Sequence, residues 1–370
     1  MARKLDDKER RDWLRLARTE NVGPVTFAGL MARFSSAGAA LSELPCLAAR
    51  GGGAKKFVLP PENDVAREIE DLSRLGWRLI ASCEPDFPSG LAALDPPPPL
   101  ICVLGHTSLL QRDMVAIVGA RNASALGRKL AFTLAQDLGN ANLVIASGLA
   151  RGIDSAAHEG ALQSGTVAVV AGGVDVVYPP ENQKLYDAIL AEGAIISEMR
   201  FGEAPQARHF PRRNRLISGL SRGLVVVEAA ERSGSLISAN YALEQGREIF
   251  AVPGSPLDPR AKGPNRLIRN GATLTESAED VLAVLRPMLG SGFAEPDGSE
   301  VKATPDTGAL EQEADRIRRA VEEALSPAPV HVDELIRPTG APASVVLTVL
   351  LELELAVRCR RSTGNFVAWN

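Results

Sequence analysis

Between about residue 113 and residue 285 the chain alternates short apolar runs with segments of helical period. The runs fall at 115–119, 143–147, 166–171, 194–197, 224–228, 248–252 and 272–275. Most have no polar alternation, as in Val167-Ala168-Val169-Val170 and Leu224-Val225-Val226-Val227. Such runs suit strands buried on both faces. Strands of this kind alternating with helices predict a doubly wound parallel sheet. Upstream, Trp77–Ile80 and Leu100–Leu104 read as two further strands. Between them, Asp86–Leu91 and the prolines 96–99 read as turn or extended chain.

The flanks have a different pattern. Residues 1–80 are helical in period: Trp13, Leu14, Leu16 and Ala17 precede a turn at Asn21-Val22-Gly23-Pro24, and Phe27, Leu30, Met31 and Phe34 resume it. Helix, glycine turn, helix is similar to a helix-hairpin-helix or SAM-like unit, whose turn amides can hold a DNA backbone. Only Arg33 follows closely and a second glycine is missing, so a small interaction bundle is the plainer reading. Residues 286–310, rich in Pro, Gly, Ser, Asp and Glu, read as a linker. Residues 311–370 give three helical patterns and a hairpin across Ser362-Thr363-Gly364, hence a winged helix. Its third helix, Pro342–Leu355, has no Lys or Arg and carries Glu352 and Glu354, which favours a protein contact over base reading. Arg358, Arg360 and Arg361 keep a DNA-binding wing open. The predicted architecture is α/β: an extended Rossmann-like parallel-sheet domain (81–285) between a small helical, SAM-like or helix-hairpin-helix-like N-terminal domain (1–80) and a winged-helix C-terminal domain (311–370).

Chemistry collects at the strand ends. Val115–Val118 runs into Gly119-Ala120-Arg121-Asn122, and Leu143–Ala146 into Ser147-Gly148, followed by Arg151-Gly152-Ile153-Asp154. In a parallel sheet these turns lie at one edge, where amides and helix N-termini attract anions. A dinucleotide fingerprint would put a second glycine where Arg121 stands, and no P-loop is present. Arg121 can instead fork onto phosphate oxygens from outside, or form a surface ion pair. Next, Arg200, Arg208, Arg212, Arg213, Arg215 and Arg222 face the single acid Glu203 between residues 200 and 222. This stretch also holds Phe210 and Asn214, and it follows the strand 194–197 to the same edge. Two further small-residue turns, Ser233-Gly234-Ser235 and Pro253-Gly254-Ser255, follow later strands. One nucleotide does not need so many turns; a polyanion threading across the edge would use them all.

The bulk numbers narrow the partners. At 370 residues with 45% hydrophobic content, two or three packed domains are expected. Net charge is −4, so nucleic-acid binding must come from local charge. The four cysteines show neither CxxC nor metal spacing and read as buried small hydrophobes in a reducing compartment. The charged N-terminus is no signal peptide, and no apolar run reaches the ~18–20 residues of a membrane span. A cytoplasmic protein without membrane contact is expected. His106, His158, His209 and His331 show no HExxH or paired spacing, and GxSxG is absent. His158, on a predicted helix, reads as structural. No catalytic residue, metal site or cofactor is predicted.

Gly119-Ala120-Arg121, the run Ser147–His158, the run Phe210–Ser221 and Ser233-Gly234-Ser235, in this order, resemble the DprA/Smf family of DNA-processing proteins. The resemblance covers the central domain and extends to both flanks. It implies a single-stranded DNA-binding protein rather than an enzyme, one that protects incoming DNA in natural transformation and loads RecA, usually as a homodimer. It also implies that Arg121 and the arginines Arg208, Arg212, Arg213 and Arg215 hold phosphates. Ser147, Gly148, Ser233, Gly234 and Ser235 would supply amides and hydroxyls, and Phe210 would touch a base. A dimer contact through the late strands near Phe250–Gly254 or their helices is a further family-based expectation. The rival reading is a nucleotide phosphoribohydrolase of the lysine-decarboxylase-like group. Its catalytic glutamate falls on Ser238 here, and a serine cannot do a carboxylate's work.

Overall fold

The computed structural model describes residues 3–52, 59–293, 307–362 and 365–370. Two compact units divide the chain: Met1–Lys4 with Glu68–Pro296, and Leu5–Arg67 with Asp297–Asn370. The N-terminal helices and the C-terminal segment thus share one unit.

The chain begins with helices α1 (Asp7–Ala17), α2 (Pro24–Arg33), α3 (Ala37–Arg50) and α4 (Glu62–Arg74). Asp6 caps α1 reciprocally with Glu9: the Glu9 N–H donates to Asp6 Oδ1 at 2.7 Å and the Asp6 N–H to Glu9 Oε2 at 3.1 Å. Pro24 opens α2, where its fixed φ suits a first helical turn. Trp13 and Phe27 pack with ring centroids 5.0 Å apart.

The sheet unit follows as β1 (Arg78–Ala81), α5 (Ser89–Ala92), β2 (Leu100–Gly105), β3 (Met114–Val118), α6 (Ala125–Asn140), β4 (Val144–Ser147), α7 (Ile153–Ala161) and β5 (Thr166–Val169). It continues as α8 (Gln183–Glu192), β6 (Ala194–Ser197), α9 (His209–Leu220), β7 (Gly223–Val226), α10 (Gly234–Glu244), β8 (Glu248–Ala251), α11 (Lys262–Arg269), β9 (Thr273–Leu274) and α12 (Ala278–Leu285). The strand order is β1-β2-β6-β5-β4-β3-β7-β8-β9. From β3 onward neighbouring strands run parallel, whereas β2 pairs antiparallel with both β1 and β6. The doubly wound sheet is as predicted, and β1 and β2 extend it.

Alternation along β3 shows why the run is apolar throughout. Val115 and Ile117 pack with Leu134 and Leu138 of α6 and Ile153 of α7, while Met114, Ala116 and Val118 join Leu216 and Ile217 of α9. Strands β3 to β6 step outward on one side, and β7 returns to the other side of β3. The carboxyl ends of β3 and β7 therefore flank the point where the winding reverses, the place where open α/β sheets leave a crevice. Next to the edge strand β9, β8 has both edges paired and Phe250 is fully buried, so a dimer contact through the Phe250 side chain is not available.

The second unit is completed by α13 (Thr307–Ala324), β10 (Val330–His331), α14 (Val332–Thr339), α15 (Ala343–Leu355), β11 (Cys359–Ser362) and β12 (Phe366–Trp369). The expected hairpin gains a third strand, because Val330-His331 pairs with β12. Val321, Leu335, Val346, Val349 and Leu350 centre its core. The helix that would enter a groove in a DNA reader, α15, is instead packed against α3: a Cβ at Gly51 would lie 2.0 Å from the Glu352 carbonyl. Fully buried Glu352 bonds Arg318 and lies 3.9 Å from Arg50 Nη1, and Glu311 bridges Arg33 at 3.0 Å and Arg50 at 2.5 Å. Arg358 pairs with Glu322 at 2.7 Å and Arg361 with Glu354 at 2.9 Å; Arg360 is exposed. Most of the predicted linker, residues 294–306, and Thr363-Gly364 of the predicted turn lie outside the described residues. Among the described residues, no single helix is long and apolar enough to cross a membrane.

Candidate nucleic-acid interface

The turns after β3 and β4 pack on one another. Gly152 takes φ +84°, and a Cβ there would lie 2.3 Å from the Ala120 carbonyl, so only glycine allows this close approach. Both following helices have internal anions at their starts. The Ser124 N–H and hydroxyl donate to Glu228 from the exit of β7, at 2.9 and 2.6 Å, while Ser124 Oγ caps α6 through the Gly127 N–H. Asp154, in the first turn of α7, accepts from the N–H groups of Gly148 at 3.2 Å and Ala150 at 3.4 Å. These amides, expected to meet an external anion, are occupied by the protein's own carboxylates. Ser147 is likewise buried and donates to the Ile117 carbonyl at 2.6 Å. Burial pushes the Asp154 carboxyl upward, against the opposing pull of Arg213 and its amide donors.

What remains for an outside anion is a set of guanidinium groups. Arg121, Arg208, Arg212 and Arg232 are exposed around the turns after β3, β6 and β7. Arg151 is exposed as well, 3.6 Å from Glu181. The predicted arginine cluster separates. Arg215 bonds the Pro96 carbonyl at 2.8 Å and lies 3.4 Å from Glu198, and Arg222 pairs with Asp113 at 2.8 Å with its guanidinium 3.8 Å from the Phe293 ring centre. Helix α9 begins at His209, three residues before the Arg212 start expected from sequence, with Pro211 accommodated in its first turn.

Arg213 turns inward. It is 6% exposed, its Nε has no hydrogen-bond partner, and its Nη1 sits 1.4 Å from where a Cβ would stand at Gly148. Glycine at 148 therefore makes the seat for this side chain. Burial lowers the Arg213 pKa to about 10, with Asp154 opposing, so it stays cationic at neutral pH.

Two cavities meet at Arg121, Phe210 and Arg213. The broader groove, about 950 Å³, runs from Gly119 past Asn214 to Ser233-Gly234-Ser235, Ser238 and Arg260. This groove lies at the reversal between β3 and β7. The smaller cavity, about 210 Å³, lies between Phe210 and Tyr178 on one side and Val170–Gly172, beyond β5, on the other. Phe210 and Tyr178 ring centres are 5.7 Å apart, and the Arg121 guanidinium lies 5.2 Å from the Phe210 centroid. Ser233 caps α10 by accepting from Ser235 N–H, Gly234 is exposed, and Asn214 Nδ2 donates to the Gly234 carbonyl at 3.2 Å. Sequence reasoning missed Tyr178, Arg232 and the two internal carboxylates. Arg232 stood beside Ser233-Gly234-Ser235 and Asp154 inside the run Ser147–His158, whereas nothing local pointed to Tyr178 or Glu228.

Comparison with known proteins gives the same three parts. Family models match residues 7–70 as a DprA-like N-terminal HHH domain, 78–286 as DNA recombination-mediator protein A, and 304–365 as a DprA winged helix domain. Protein Smf of Escherichia coli K12 is 36% identical over 85% of this chain and 83% of its own length. DNA processing protein DprA of Streptococcus pneumoniae R6 is 47% identical over 53% of this chain and 70% of its own. Among solved structures, DprA from Streptococcus pneumoniae superposes with a TM-score of 0.62 at 35% identity, covering 76% of this chain and 98% of that one. DNA processing protein A from Helicobacter pylori gives 0.53 at 29% identity, covering 58% and 97%. With a family model matching residues 78–286 and a relative 36% identical over 85% of the chain, the chain belongs to the DprA/Smf family of DNA-processing proteins.

Proposed function

We propose that this protein binds single-stranded DNA across the carboxyl edge of its sheet, shields the strand, and passes it to a RecA-type recombinase during transformation or recombination. One observation carries the reading. At the reversal of the sheet, a groove rimmed by exposed arginines, Arg121 and Arg232, which have no carboxylate partner among the described residues, joins a cavity walled by two aromatic rings. Phosphates suit the outer guanidinium groups, and an unpaired base suits the rings. A duplex keeps its bases stacked and cannot offer one to so small a cavity. The Helicobacter pylori relative, which has a unique single-stranded DNA binding mode, supports the same reading. The recombinase hand-off and a homodimer rest on the family resemblance.

The test is a titration of a labelled single strand and its matching duplex against the protein and its Arg121→Ala variant. Preferential single-strand binding, weakened about tenfold by the substitution, is expected for loss of a charge-assisted phosphate contact. Absence of binding at low salt would overturn the reading.

A further inference from the structure

We propose that the smaller cavity reads the identity of one base, selecting guanine from the bound strand, with Arg213 as the reading group. The inference rests on the single-strand reading above. It begins from the difference between Arg213 and the other arginines of the site. Arg121, Arg212 and Arg232 are exposed and suit phosphates on an outer track. Arg213 is almost wholly buried, lines both cavities, and has an Nε without a partner among the described residues. A cation so enclosed needs an acceptor, and among the described residues the acidic group acting on it is Asp154, itself buried and already accepting two amides. The ligand that completes the site must bring its own acceptors into a cavity of about 210 Å³ walled by Phe210 and Tyr178. A planar, aromatic, acceptor-bearing group meets that description, and a tetrahedral phosphate does not use the rings.

Among the bases, guanine presents two adjacent acceptors, O6 and N7, that match the guanidinium fork. Adenine replaces O6 with an amino donor, which would face a donor. Cytosine pairs two acceptors only on its O2–N3 edge and, having one ring, covers less of the Phe210 and Tyr178 rings. Thymine has no two adjacent acceptors, because its two oxygens flank an N–H donor. Gly148 and Asp154 are positioning residues in this account: the first leaves room for the guanidinium, and the second lies beside it while fixing the turn. The contact is to a neutral base, so it adds discrimination without adding to the salt dependence.

The experiment uses the full chain and a set of labelled oligodeoxyadenylates with one central base replaced by guanine, hypoxanthine, 7-deazaguanine or 2-aminopurine. Guanine and hypoxanthine keep both acceptors and should bind about tenfold tighter than adenine. 7-Deazaguanine lacks N7 and 2-aminopurine lacks O6, so both should fall toward adenine. The Arg213→Met variant, which has no donor at all, should bind all five strands alike. Equal affinity for all five on the unaltered protein overturns the inference, as does discrimination that survives Arg213→Met. The base series on the unaltered protein decides the matter even if the variant fails to fold. Equal binding with steep salt dependence would leave the single-strand reading intact, whereas no binding to any strand at low salt would sink both.

Discussion

His158 is the residue whose ionisation the fold suppresses most openly. It is fully buried, and its Nδ1 lies 2.7 Å from Thr166 Oγ1, whose hydroxyl donates to the Ile145 carbonyl. Nδ1 therefore carries the proton, and Nε2 finds no well-aligned hydrogen-bond partner among the described residues. Burial, helped by the Arg213 charge and opposed by the Ser147 backbone, lowers its pKa from 6.5 to about 3. Below pH 6.5 the unfolded chain takes a proton that the native chain refuses, so stability is full above that pH and declines as pH falls toward 3. One such group costs about 2 kcal/mol at pH 5. Asp154 acts in the opposite sense, because burial raises its pKa and acid relieves that cost. Urea unfolding of the native sequence and of His158→Gln at pH 7.5 and pH 5 separates them: the variant should show the smaller acid loss, and equal losses would refute the assignment. The sequence marked His158 as structural from its place on a predicted helix, Arg121 from its turn at the end of a strand, and Phe210 through the family resemblance. It could not separate Arg212 from Arg213. They are adjacent in the chain, yet one helical step turns the side chain by about 100°, which leaves the first in solvent and the second in the cavity wall.

For whole elements, legibility follows burial. Strands β3 to β8 are apolar because both faces are covered, so their runs could be read directly. The antiparallel pairing of β2 with β6 could not, since an apolar run has no direction. Helix starts after β3 and β4 were expected, and α9 starts three residues early; Glu228 reaches Ser124 from 104 residues away, beyond any local pattern, so the occupied end of α6 was hidden. Helix α15 lacks Lys and Arg, which favoured a protein partner over base reading; its packing against α3 of the same unit is an internal contact that the sequence pattern did not point to. Glu352 is the centre of that junction, with Arg318 bonded to it and Arg50 close by. Removing one member of a buried ion pair leaves the other uncompensated, typically at a cost of about 3–5 kcal/mol. Glu352→Ala should therefore lower the thermal transition reported by Trp13 and Trp369, both in this unit, while single-strand binding by the sheet unit stays unchanged. An unaltered transition would show that the pair contributes nothing net, as some buried ion pairs do.

The whole molecule carries −4 and still offers a polyanion site, because its cations are placed by the strand order and its acids are mostly elsewhere or already paired. Repulsion from distant acids is screened within about 8–10 Å at ordinary salt, whereas arginines in direct contact with a strand act at full strength. Five exposed arginines, Arg121, Arg151, Arg208, Arg212 and Arg232, are candidates for phosphate contact. Each phosphate neutralised on a single strand contributes about −0.7 to the slope of log K against log salt, so five predict a slope of about −3.5. Affinity should then fall roughly a hundredfold between 50 and 200 mM salt. Replacing Arg121, Arg212 or Arg232 by alanine should make the slope shallower by about 0.7 each. Arg151→Ala should do less, because Glu181 already draws on that charge. Arg213→Lys, which keeps the charge but loses the fork, should leave the slope alone. Salt series on these variants check the division of labour between rim and cavity. A slope near −1 that no rim substitution changes would mean that the strand is held by its bases and not by its phosphates.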